Sequence, residues 1–271
     1  MDLATQFLLD ASTSLETISE LFTLTHPSVV YLCGARTWVD GCETDQATCL
    51  EVNTNAPSLF ARVASASGIK IVFFSTDYVF NGASGPYSET DDACPANVYG
   101  SSKLAAERKI LDIDSTALVI RTTVVYGPEH VGKNFVYQIC SRLSKGKQVN
   151  CITDQMSTPT YSRDLAQLVV RLVQNDCRGV YNCAGTEVMS RYEFALIVAR
   201  ELELDEALIA KVTTQELQDD ACREGRLMAK RGLKLGLTMD KTLATVTDIQ
   251  VRTVSTCMKD WLRHPRGKTL V

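Results

Sequence analysis

Three observations predict an α/β fold built on a parallel sheet. Short apolar runs of strand length alternate with stretches of helical period, which implies βαβ units. Those runs are continuously apolar, as in V-V-Y-L-C at 29–33 and I-K-I-V-F-F-S at 69–75, which suits strands covered on both faces. Finally, the chain has 271 residues, 45% of them hydrophobic, enough for one large or two small domains with a proper core.

Each element follows from its pattern. Residues 5–9 read as a strand, and 15–24 carry apolar residues near helical period. The run 29–33 is a strand, and 47–67 reads as one helix in which Pro57 is an early-turn or kinking residue. After the strand at 69–75 comes a loop rich in Gly, Pro, Ser and Asp, then a helix over 98–111 and a strand over 116–121. Beyond Gly127 the pattern changes: helices at 135–143, 162–174, 191–202, 214–221 and 253–262, with strands at 149–152 and 179–183.

Composition excludes several classes. Lys+Arg 28 against Asp+Glu 32 gives a formal net charge of -4, so no general basic surface for nucleic acid is expected. No apolar run approaches the ~20 residues of a membrane span. The first ten residues lack the basic start and small-residue cleavage site of a signal peptide, which points to the cytoplasm. Ten cysteines show no C-x-x-C spacing, and several sit in apolar runs where a reduced Cys acts as a small hydrophobe. The three histidines lie beside Pro or Gly or near the C-terminus, so no metal site is expected.

The chemistry-bearing segment is S-T-D-Y-V-F at 75–80 followed by Y-G-S-S-K at 99–103. Tyr99 and Lys103 are four apart on the expected helix, hence on one face and about 6 Å apart along its axis. A phenol is a weak acid, and a nearby ammonium favours the phenolate, so the pair can exchange a proton with a carbonyl or hydroxyl oxygen. Thr76, at a neighbouring strand end, can hold the same oxygen. The bare spacing alone is more often a solvated helix pair.

The wider context resembles the dTDP-4-dehydrorhamnose reductase family of the extended short-chain dehydrogenase/reductases. The motifs that carry the likeness are P-S-V-V-Y-L-C-G-A-R-T-W-V-D-G-C-E at 27–43, V-N-T-N-A-P at 52–57, R-T-T-V-V-Y-G at 121–127, G-K-N-F-V at 132–136 and D-Q-M-S-T-P-T-Y-S-R-D-L-A at 154–166. The resemblance implies a Rossmann-like doubly wound sheet with a smaller C-terminal substrate-binding domain. The first would take residues 1–126 and 160–186, the second 127–159 and 187–271. It also implies NADPH or NADH as cofactor and a nucleotide-linked 4-keto sugar as substrate.

By position, Tyr99 would protonate the sugar C4 oxygen as hydride arrives. Lys103 would lower the Tyr99 pKa and hold the nicotinamide ribose, and Thr76 would bind the reacting oxygen. Asp77 and Val124 would contact the sugar. Cys33, Gly34, Ala35, Asn53 and Asp10 would line the cofactor, although Asn53 also suits a helix start and Asp10 a cap or strand-end turn. Two positions depart from the family: Val124 stands where these reductases carry Trp, and Arg36 where they carry Tyr or His. The acidic run at 89–92 solvates a loop or, as in relatives, joins an ion-linked dimer contact.

No G-x-x-G-x-x-G occurs in the sequence. A dinucleotide fold holds pyrophosphate on such a turn. Against the family, the chain is expected to start at the third strand, lacking roughly three dozen residues of a central βαβ unit. Weak NAD(P)H binding, loss of reductase activity and an apolar sheet edge are the expected consequences. The alternative is a regulatory protein resembling the methionine adenosyltransferase β subunit, whose partner would be a methionine adenosyltransferase catalytic subunit; a homodimer is the other assembly expected.

Overall fold

The computed structural model describes residues 14–263. The strand expected at 5–9 and the Asp10 candidate lie outside the described residues.

Ser14 caps α1 (Leu15–Thr25) by accepting from the Thr17 amide, and His26, in the left-handed conformation, ends it. β1 (Val29–Leu32), α2 (Val39–Thr44) and α3 (Gln46–Leu50) follow. The single helix expected over 47–67 is instead broken by a π-helical turn (Glu51–Asn55) before α4 (Ala56–Ala66). Pro57 has no N–H to give the Asn53 carbonyl, so the ladder widens by one residue just ahead of it.

β2 (Lys70–Thr76), α5 (Val98–Ile113) and β3 (Leu118–Thr122) complete the first half. The second half runs β4 (Val125–Tyr126), α6 (Phe135–Leu143), β5 (Val149–Ile152), β6 (Met156–Ser157), β7 (Thr160–Tyr161), α7 (Ser162–Gln174) and β8 (Gly179–Asn182). It closes with β9 (Met189–Ser190), α8 (Arg191–Glu201), β10 (Ile209–Val212), α9 (Thr214–Arg223), α10 (Asp240–Thr245) and α11 (Val254–Arg263).

Among the described residues the main sheet has four strands in the order β1-β2-β3-β8, all parallel. Successive side chains of a strand point to opposite faces. Ile71, Phe73 and Val119 meet Ile18, Phe60 and Ile110 from α1, α4 and α5 on one side. Val72, Leu118 and Ile120 meet Leu168, Val169 and Leu172 of α7 on the other. Coverage on both faces is why these strands read as unbroken apolar runs. β1 lies at one edge, and there Tyr31 is 42% exposed.

A separate cluster gathers Val136, Ile139, Phe194, Val198, Met258 and Trp261 from α6, α8 and α11. β5 and β10 pair in parallel beside it. Burying each such side chain contributes about 1.5–3 kcal/mol. All ten cysteines are free, and seven are buried. No helix among the described residues is long and apolar enough to cross a membrane. Two of the acids in the 89–92 run serve the chain itself: Glu89 accepts from the Asn182 amide at 2.8 Å, and Asp91 from the Ser88 amide at 2.6 Å.

Candidate functional site

The C-terminal end of β2 carries Thr76, and Asp77 begins one turn of 3-10 helix (Asp77–Val79). α5 brings Tyr99 and Lys103 to that end. Its N-cap is Asn97, whose side chain accepts from the Gly100 amide at 2.8 Å and donates to the Lys230 carbonyl at 2.9 Å. Gly100 lets the first turn press on the chain after β2, because a Cβ there would lie 2.1 Å from the Tyr78 carbonyl oxygen. The Tyr78 ring meets the Tyr99 ring edge-on, centroids 5.8 Å apart. Thr76, Asp77, Tyr99 and Lys103 are all buried.

The electrostatics of Tyr99 run opposite to the sequence expectation. Burial raises its pKa, Asp77 and Tyr78 raise it further, and interaction with the Thr76 side chain only partly opposes them. The phenol therefore keeps its proton across neutral pH, which suits a donor. Burial lowers Lys103 to about 7, while Glu107 one turn on pulls the other way. Its Nζ lies 4.0 Å from the Phe73 ring centroid and, among the described residues, has no hydrogen-bond acceptor. Glu107 is taken by Arg121, whose Nε and Nη2 donate to its two carboxylate oxygens at 3.0 and 2.7 Å.

Asp77 accepts from the Thr76 hydroxyl at 3.3 Å and the Thr123 hydroxyl at 2.6 Å, and burial raises its pKa. Val124 follows Thr123 with φ at 44°, a left-handed conformation that a β-branched residue rarely adopts. Its carbonyl accepts from the Thr160 amide at 3.2 Å. Val124 and Asp77 line one small recess, together with Thr123, Gln155 and Arg191.

On the other side, Cys33 and Gly34 follow β1 and are exposed, and Ala35 is half-buried. Burial raises the Cys33 thiol, and the Lys103 charge opposes that. Asn53 reaches this loop indirectly. It accepts from the Arg36 amide at 2.8 Å, donates back to the Arg36 carbonyl at 3.1 Å and donates to Ser102 Oγ at 3.1 Å. Its amide thus braces the loop against α5 rather than standing free. Arg36 Nε is buried without a hydrogen-bond partner among the described residues. That orphaned donor, the unpartnered Lys103 ammonium and the exposed backbone at Cys33 and Gly34 fit a ligand rich in hydroxyl and phosphate oxygens, as a dinucleotide is.

The sequence left several site residues unread. Asp40 accepts from Arg231 Nη2 at 2.9 Å and from the Ala229 amide at 2.8 Å, tying α2 to a segment almost two hundred positions on. A second cleft, of about 320 Å³, is lined by Asp40, Tyr78, Arg191, Arg226 and Arg231 among others. Nothing local in the sequence marks these arginines, because only the fold collects them.

Residues 8–235 match the family model described as "RmlD substrate binding domain". The chain is 36% identical over 222 residues to the dTDP-4-dehydrorhamnose reductase of Mycobacterium tuberculosis (strain CDC 1551 / Oshkosh), which covers 79% of this chain and 72% of that protein. It is 30% identical over 226 residues to methionine adenosyltransferase 2 subunit beta of Danio rerio, covering 80% of this chain and 69% of the other. Among solved structures, the dTDP-4-dehydrorhamnose reductase of Bacillus anthracis str. Ames in complex with NADP shares the fold. Its TM-score is 0.83 at 24% identity, covering 92% of this chain and 85% of that one.

Proposed function

Since the chain belongs to the RmlD substrate binding domain family, we propose that it is an NAD(P)H-dependent reductase of a nucleotide-linked 4-keto sugar. The observation that carries the reading is the meeting of Thr76, Tyr99 and Lys103 at the end of β2, with the Tyr99 proton held in place by burial. Matching relatives named dTDP-4-dehydrorhamnose reductase support it.

NADPH or NADH, when bound, supplies the hydride. Tyr99 gives its proton to the C4 oxygen, and the Thr76 hydroxyl holds that oxygen. Lys103 would donate to the ribose hydroxyls of the bound cofactor, and the backbone from Cys33 to Ala35, next to the Asn53-braced Arg36, would line its site. Asp77, fixed by Thr123, seats the sugar, with Val124 leaving more room than a Trp would. Ten free cysteines suit a reducing compartment, the cytoplasm.

The test is loss of NADPH or NADH absorbance when the purified chain meets a dTDP-4-keto-6-deoxy sugar, with the reduced sugar identified by mass. No reduction with either cofactor overturns the reading. Titration with NADPH and NADH alone tests the cofactor separately: saturable binding of one of them is expected, and binding of neither would overturn the reading.

The likeness to methionine adenosyltransferase 2 subunit beta, with the substitutions at Arg36 and Val124, supports a second reading as a regulatory subunit. Co-purification with a methionine adenosyltransferase catalytic subunit, together with altered S-adenosylmethionine synthesis, would favour it over the reductase.

A further inference from the structure

Lys103 and Glu107 lie four apart on one face of α5, and both are buried. Opposite charges so placed ordinarily pair. Here they do not. Arg121, on β3, donates from Nε and Nη2 to the two Glu107 oxygens at 3.0 and 2.7 Å, and both partners are buried. Lys103 is left over the Phe73 ring, its Nζ 4.0 Å from the centroid, with no acceptor among the described residues.

The Arg121 fork is fixed by the sheet. Strand register sets Arg121 opposite Ser75 of β2 and Asn182 of β8, and its guanidinium carbon lies 5.1 Å from the Phe80 ring centroid. A planar guanidinium making two parallel hydrogen bonds outcompetes a lone ammonium for a carboxylate. The other titratable groups acting on Lys103 are thiols, Cys33 beyond β1 and Cys49 on α3, while β2 offers the uncharged Phe73 ring. Tyr99, one turn back on α5, keeps its proton. Burial brings the ammonium down to about 7, and Glu107 is the strongest of the groups that oppose this.

We propose that Arg121 is a positioning residue acting through Glu107: it withholds that carboxylate from Lys103, so that the lysine's hydrogens stay free for the oxygens of an incoming ligand. An ammonium locked onto Glu107 would have to break a buried ion pair before donating elsewhere. The unpaired amine instead takes up a proton from solvent as ligand oxygens arrive, because the new acceptors favour its charged form. The inference deepens the reductase reading, on which it rests only for the identity of that ligand, NADPH or NADH.

Nuclear magnetic resonance of the full chain, isotope-labelled at lysine Cε, follows this amine without any cofactor, and Lys103→Met identifies its signal. The parent should titrate at about 7. Arg121→Met frees Glu107 for Lys103 and should move the midpoint up by about 1–3 pH units. Adding Glu107→Gln, which leaves no stranded charge, should bring it back to the parent's value or below. A merely structural Arg121 would alter the unfolding temperature and leave the Lys103 titration unmoved, and that result in Arg121→Met overturns the proposal. An equal rise in the double variant also overturns it, since loss of the Arg121 charge rather than release of Glu107 would then be the cause. Should Arg121→Met not fold, Arg121→Lys, which keeps a cation without the fork, should give a smaller rise, and no rise there overturns the proposal.

Calorimetric titration with NADPH and NADH at about pH 8, in buffers of different ionisation enthalpy, counts the protons taken up. The parent should take up part of a proton and Arg121→Met much less; equal uptake overturns the proposal. Binding of neither cofactor would sink the reductase, while the cofactor-free titration of Lys103 would still decide the role of Arg121.

Discussion

Gly100 stands so close to Tyr78 that a β-carbon on it would lie 2.1 Å from the Tyr78 carbonyl oxygen. This contact sets how far α5 slides toward the end of β2. It thereby sets the distance from Tyr99, the next residue back along the helix, to Thr76.

Gly100→Ala is therefore expected to displace the first turn of α5. The clash is with backbone, which cannot rotate away, so overpacking should cost about 1–3 kcal/mol. Urea unfolding together with turnover checks this; a parent-like midpoint with parent-like turnover would contradict it.

Tyr99→Phe removes the proton donor and leaves the ring packed edge-on against Tyr78. Turnover should fall about 10²–10⁴-fold with KM for the sugar nearly unchanged. Steady-state kinetics decide, and unaltered turnover would end the assignment.

Lys103 titrates near 7 in the folded chain against an ordinary 10.5. Between those values the unfolded chain holds a proton that the folded chain lacks, so this group makes stability rise with pH across the window, and its full cost is present below 7. Lys103→Met should then raise stability by about 2 kcal/mol at pH 6, with the gain shrinking towards pH 10, while weakening cofactor binding. Thermal unfolding at the two pH values measures it; a gain that grows with pH would refute the argument.

Glu107→Gln breaks the buried pair with Arg121 and removes the carboxylate that supports the Lys103 charge. A loss of about 3–5 kcal/mol is expected. Adding Arg121→Met should recover much of it, because the stranded cation is gone. A double-mutant cycle reads the coupling, and strictly additive losses would show that the pair does not act as a unit.

Val124→Gly removes the β-branched side chain from a left-handed position. Relief of about 1–2 kcal/mol of strain opposes the entropy that Gly adds to the unfolded chain. The variant should be at least as stable as the parent, and a clear loss in chemical denaturation would show that packing by the Val124 side chain outweighs the strain.

The pattern of residues by itself determined the parallel sheet, its main strands and most of its helices, and the Thr76, Tyr99 and Lys103 constellation, while α2, α10 and β10 went unread. Period and short-range spacing are local properties: buried strands announce themselves as unbroken apolar runs, and residues four apart share a helix face. The two-residue strands β4, β6, β7 and β9 escaped because two residues carry no period. The helix expected over 47–67 was broken by backbone hydrogen bonding around Pro57, which apolar period does not register. Only the tertiary structure decided the state of the site. Burial, a property of the folded environment, raised Tyr99 where a neighbouring ammonium was expected to lower it, and it brought Lys103 to about 7. Long-range packing likewise turned Asn53 into a brace for Arg36, joined Asp40 to Arg231, and set Arg191 over the Phe135 ring. Such contacts depend on how distant segments dock, and no local spacing encodes that.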